Sequence, residues 1–172
     1  MKNTSKEVYS WLNKKIDSRE NGVFLDTNDF DSFDLIQNVL ELKDHPYKTP
    51  AIYYQAFADE QLPDLISTIE EELKGKLGYR RTSSCSTMYE LIALSELRTV
   101  VIDSSYLYSL KIIDGLWKWL SEYQIGLILV GSQAKMQGSP ILNHPVISQW
   151  ERFAVDSDLI GILISGYSNL AG

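Results

Sequence analysis

Asp103 closes the run Thr99-Val100-Val101-Ile102-Asp103, and Ile125-Gly126-Leu127-Ile128-Leu129-Val130-Gly131 further on leads into Ser132-Gln133. A carboxylate at the end of an apolar strand can hold a hard cation or orient a water for attack, and a small polar pair at a neighbouring strand end can contact the same ligand. More acids, Asp26, Asp29 and Asp31, stand in Asp26-Thr27-Asn28-Asp29-Phe30-Asp31-Ser32-Phe33, directly after Gly22-Val23-Phe24-Leu25. Strand ends are where α/β folds place their sites, so Asp26 and Asp103, with Asp29 and Asp31, form a candidate cluster for Mg²⁺ or Ca²⁺. The plainer role for Asp103 is to cap the helix that follows. Nowhere does the chain contain Gly-x-x-x-x-Gly-Lys-[Ser/Thr], the loop whose amides and lysine cradle phosphates.

Other reactive side chains point to less. His45 and His144 lie beside prolines without metal-ligand spacing and read as solvated loop histidines. Ser83, Ser84 and Ser86 surround Cys85 without a Gly-x-Ser-x-Gly elbow. Arg80 and Arg81, with Lys74 and Lys76, make the one basic cluster, which reads as a solvated loop before it reads as a phosphate contact. Trp119 falls off the apolar face of its helix, so it either anchors an interface or packs on the N-terminal helix.

These residues need a scaffold, and strand-like and helix-like segments alternate from residue 22 onward. That pattern predicts an α/β domain in three layers, with a mainly parallel sheet of about five strands. Residues 1–20 read as an amphipathic helix with Val8, Trp11, Leu12 and Ile16 on one side, followed by a strand over 22–26. A helix striped by Phe33, Leu35, Ile36, Val39, Leu40 and Leu42 and a loop between Pro46 and Pro50 come next, then a strand over 51–57. Helices are expected over 62–73, ended by Gly75 and Gly78, over 87–97, and over 106–123 as the longest. The strand at 99–103 should lie between those at 51–57 and 125–131, or next to both through the first strand. A short helix and loop over 134–144, a helical turn over 145–150 and a last strand over 152–155 follow; 158–165 fits helix or strand.

A length of 172 residues with 44% hydrophobic content suits a single domain over 1–172. The net charge of −7 argues against a broad nucleic-acid-binding field, and the lone Cys85 fits a reducing compartment. Met1 to Glu20 lacks a signal-peptide core and no apolar run is long enough to span a membrane, so a cytoplasmic location without membrane association is expected.

At several joints the sequence resembles the TniB/TnsC-type AAA+ ATPases that regulate Tn7-like transposition. Trp11-Leu12 matches the leading helix, Val100-Val101-Ile102-Asp103 the Walker B strand, Leu129-Val130-Gly131-Ser132 the sensor-like strand and Trp150-Glu151-Arg152-Phe153 the Arg-Phe segment. The resemblance implies a P-loop-NTPase-like fold, with Asp103, Ser104, Ser132 and Gln133 at the Walker B and sensor positions. It puts Asp26, Thr27, Asn28, Asp29 and Asp31 where the phosphate loop belongs, and Ser104 where the family has its catalytic glutamate. Carboxylates there would repel a triphosphate, and a serine cannot act as the base.

The departures imply a pseudo-ATPase with vestigial motifs and no ATP cofactor, acting through protein contacts as an accessory or regulator in transposition or another mobile-element system. Its partner would be an intact related ATPase or transposition component, met by a surface carrying Trp119 and Arg152, without strong nucleic-acid binding of its own. The family's C-terminal lid is expected to be cut short at Gly172. Two alternatives stand beside this reading: a small metal-dependent enzyme or metal-binding protein built on Asp26 and Asp103, where Mg²⁺ would enter, and a generic α/β signalling or interaction module.

Overall fold

A computed structural model of the chain describes residues 5–26, 36–37, 40 and 48–155. Five strands, β1 (Gly22–Asp26), β2 (Ala51–Gln55), β3 (Thr99–Asp103), β4 (Gly126–Ser132) and β5 (Arg152–Val155), form one sheet in the order β2-β3-β4-β1-β5. Every neighbouring pair is parallel. β3 lies between β2 and β4, as expected. The reason is visible in the sequence: β1, β3 and β4 are buried at every position, as a strand covered on both faces must be, whereas β2 becomes exposed by Gln55.

Helices cover both faces. Trp11, Leu12 and Ile16 of α1 (Ser5–Ser18), with Ile36 and Leu40, bury Phe24, Tyr53, Val101, Ile128 and Val130. On the other face, α2 (Leu62–Leu77), α4 (Met88–Ser95) and α5 (Leu110–Glu122) pack Leu65, Ile69, Leu91, Ile113 and Leu116 over Val23, Ile52, Val100 and Leu127. Two short helices, α3 (Tyr79–Thr82) and α6 (Gln133–Gln137), and three 3₁₀ turns complete the described elements. No helix among the described residues is long and apolar enough to cross a membrane.

Two helix boundaries differ from the sequence expectation. α2, not the 106–123 segment, is the longest described helix at 16 residues. Gly75 is accommodated inside it, and Gly78, at φ +89°, is where the chain turns away, a conformation that suits glycine. The 106–123 segment is divided: a 3₁₀ turn over Ser105–Leu107 gives way to an extended Tyr108, and α5 starts afresh with the Ser109 hydroxyl accepting from the Ile112 amide. A serine cap competes with an unbroken helix because it satisfies an otherwise orphaned donor. Arg80 and Arg81, read from the sequence as part of a solvated loop, lie in α3. The stripe residues 33, 35, 39 and 42, the residues His45 and Pro46, and segment 158–165 lie outside the described residues.

Candidate functional site at the carboxyl edge of the sheet

Parallel strands deliver their last residues to one edge, and here that edge carries the acids. Asp26 ends β1 in register with Ser132 at the end of β4, and Asp103 ends β3 on the other side of β4. Period-two alternation from Phe24, Val101 and Tyr53 puts Asp26 and Asp103 on the face covered by α1. Both are buried, with 1% and 6% of their surface exposed.

Asp103 is tied into the fold through both carboxylate oxygens. The Tyr53 phenol on neighbouring β2 donates to Oδ2, and the Ser104 amide donates to Oδ1 at 2.7 Å. The Asp103 carbonyl accepts from the Ala56 amide at 3.0 Å, so the acid also fixes where the chain leaves β2. Ser104 holds left-handed backbone, φ 53° and ψ 36°, which turns the chain sharply at this point. The next hydroxyl, Ser105 Oγ, is fully buried and donates to the Val130 carbonyl of β4 at 3.1 Å.

Ser132 is also engaged locally: its Oγ accepts from the Lys135 amide at 3.3 Å and caps α6, of which Gln133 is the first residue. Lys135 reaches back to Tyr106, 3.3 Å from its hydroxyl and 5.1 Å from its ring centroid. Asp26 and Asp103 flank β4 rather than adjoin, so their backbones stand on the order of 10 Å apart. Among the described residues no group of three or more His, Cys, Asp or Glu side chains is placed to hold a metal ion. Thr27, Asn28, Asp29 and Asp31 lie outside the described residues.

The two interface candidates do not come together. Trp119 is half-buried rather than exposed, with its ring edge-on to Tyr123 at 5.6 Å. Tyr123 in turn meets Tyr89 of α4 at 4.7 Å, so Trp119 packs on the opposite face of the sheet from the N-terminal helix. Arg152 is exposed on β5, where Nη2 donates to the Leu142 carbonyl at 3.2 Å. The tryptophan of α5 on that side of the helix is Trp117, 6.4 Å from His144. Residues 117 and 119 point about 200° apart around a helix, which separates Trp119 from the Leu142–Arg152 region.

His144 is not a solvated loop residue. Its Nδ1 accepts from the Val146 amide at 3.1 Å and its Nε2 meets Asp114 Oδ1 at 2.9 Å, which assigns the neutral ring's proton to Nε2. Lys118 and then His144 hold the Asp114 carboxyl below its ordinary range. Sequence reasoning also missed Glu60. Tyr54 donates to one of its oxygens and Tyr108 to the other, joining the segment after β2 to the turn after β3. Burial first, and then Glu60, push both phenols well above their ordinary range. Glu60 and Tyr108 line a cleft of about 590 Å³ between the starts of α2 and α5, with Leu62, Leu107, Lys111 and Ile112. In the sequence Tyr54 lies 6 positions before Glu60 but Tyr108 lies 48 after it, so the pairing leaves no local signal.

No protein-family model matches this chain, and no curated protein matches it by sequence. Among solved structures, the chain is similar to one in the structure of Drosophila ORC bound to AT-rich DNA and Cdc6, with a TM-score of 0.60 and 10% sequence identity. The fold is AAA+-like. The match covers 96% of this chain but 31% of the other, so the chain spans about a third of that AAA+ ATPase's length. At such identity the likeness concerns the path of the backbone. Asp103 ends β3 and Ser132 ends β4, the parallel strand beside it.

Proposed function

We propose that this protein is a catalytically inactive member of the nucleotide-binding AAA+-like fold that works through protein contacts, as an accessory or regulator in a transposition or other mobile-element system. The observation that carries the reading is the state of Asp103. In a working site the strand-end acid and its neighbour would face metal and water; here its oxygens accept from Tyr53 and Ser104, and the neighbour is a serine that cannot take a proton from an attacking water. Ser132 is spent in the same way on capping α6. The absence of a glycine-lysine phosphate loop anywhere in the sequence supports the same conclusion.

The partner we favour is an intact related ATPase or another component of the same system, a reading that rests on the TniB/TnsC resemblance. Phosphate release with Mg-ATP, measured on the purified protein and on Asp103→Asn, tests the inactivity. The expected result is the same background rate for both. Turnover by the wild type that Asp103→Asn abolishes would overturn the proposal.

A further inference from the structure

Tyr89, Tyr123 and Trp119 form an aromatic ladder on the helical face away from α1. Tyr89 and Tyr123 meet edge-to-face at 4.7 Å, Trp119 and Tyr123 at 5.6 Å, and Tyr89 leaves 64% of its surface in solvent. The ladder draws on α4 for Tyr89 and on α5 and its C-terminal cap for Trp119 and Tyr123. It does not serve the core alone: an outward-facing tyrosine stacked on a second ring, itself buttressed by a tryptophan, presents a rigid π surface.

Glu122 ends α5 next to Tyr123 and three positions after Trp119, which puts it on the same side of the helix, and Glu70 lies on α2, which packs against the α4 that carries Tyr89. Burial first, and then the electrostatic influence of Tyr89, Glu122 and Glu70, raises the Tyr123 phenol above its ordinary range. Among the described residues neither Glu70 nor Glu122 is ion-paired. Aromatic faces and carboxylates attract the same ligand, a cation, and a planar guanidinium uses both at once by stacking on a ring while its N–H groups bond a carboxylate. An ammonium gains the charge without the stacking.

We propose that the Tyr89–Tyr123–Trp119 ladder, flanked by Glu70 and Glu122, is a docking surface for a partner-protein segment that presents arginine. The inference rests on the reading that this protein acts through contacts, and it names their chemistry. Hexa-arginine and hexa-lysine peptides carry equal charge, so the protein's overall negative field cancels when their affinities are compared by calorimetry at about 0.15 M salt.

The expected result is that hexa-arginine binds about five-fold or more tighter, that Tyr89→Leu removes this preference, and that Glu122→Gln weakens both peptides. Tyr89 is exposed, so its substitution leaves the fold intact; a thermal melt checks this, and Trp119→Leu provides a second, more buried test. Equal affinity for the two peptides, or a preference that survives in Tyr89→Leu, overturns the proposal. The phosphate-release assay is independent of these residues: peptide parity without turnover removes this surface and leaves the inactive-scaffold reading, whereas turnover does the reverse.

Discussion

Tyr53 and Asp103 make a contact that single substitutions can weigh. In Tyr53→Phe the ring still fills its place among Phe24, Val101 and Ile128, but the phenol's hydrogen bond to Asp103 Oδ2 is lost. A hydrogen bond to a charged group contributes about 1.5–3 kcal/mol, so the urea midpoint of Tyr53→Phe should fall accordingly. An unchanged midpoint would show that the phenol does not hold the acid. At this scale the sequence revealed half of the site. Asp103 and Ser132 were recognisable because each closes an apolar run, whereas Tyr53 lies fifty positions from Asp103 and is joined to it only by the pairing of β2 with β3. The same reason hid Glu60, whose tyrosines come from β2 and from the turn after β3.

Among the elements, α1 depends on a close approach at the start of β1. A Cβ added to Gly22 would stand 2.9 Å from the Trp11 ring, which also packs on Phe153 at 5.3 Å and donates its indole N–H to Glu151. Beside it Lys15, only 4% exposed, is bonded to Glu20 at 2.9 Å and lies 3.8 Å from Glu151, so the helix is pinned where β1 and β5 begin. Gly22→Ala should therefore destabilise the fold by about 1–3 kcal/mol, read as a lowered urea midpoint. Wild-type stability would mean that Trp11 can move aside at no cost. Strand existence and the central placement of β3 were legible in the sequence because burial on both faces writes continuous apolar runs. Helix boundaries were less so. The break before α5 depends on Ser109 capping rather than on hydrophobic spacing, and Gly75 inside α2 was outweighed by the packing of Leu65, Ile69, Leu73 and Leu77.

For the molecule as a whole, the five-stranded parallel order and the likeness to an AAA+ ATPase structure establish the scaffold, while the chemistry at its edge decides what the scaffold is for. Alternation of strands and helices made the architecture readable from sequence alone; the separation of Trp119 from Arg152 was not readable, because it depends on which side of α5 faces the Leu142–Arg152 region. On the proposed reading, this AAA+-like fold does not use nucleotide. Titration calorimetry of the intact protein with Mg-ATP tests it most directly. With no phosphate-loop lysine and with Asp103 held by Tyr53 and Ser104, the predicted result is no saturable heat below about millimolar nucleotide. A stoichiometric isotherm with micromolar affinity would contradict it.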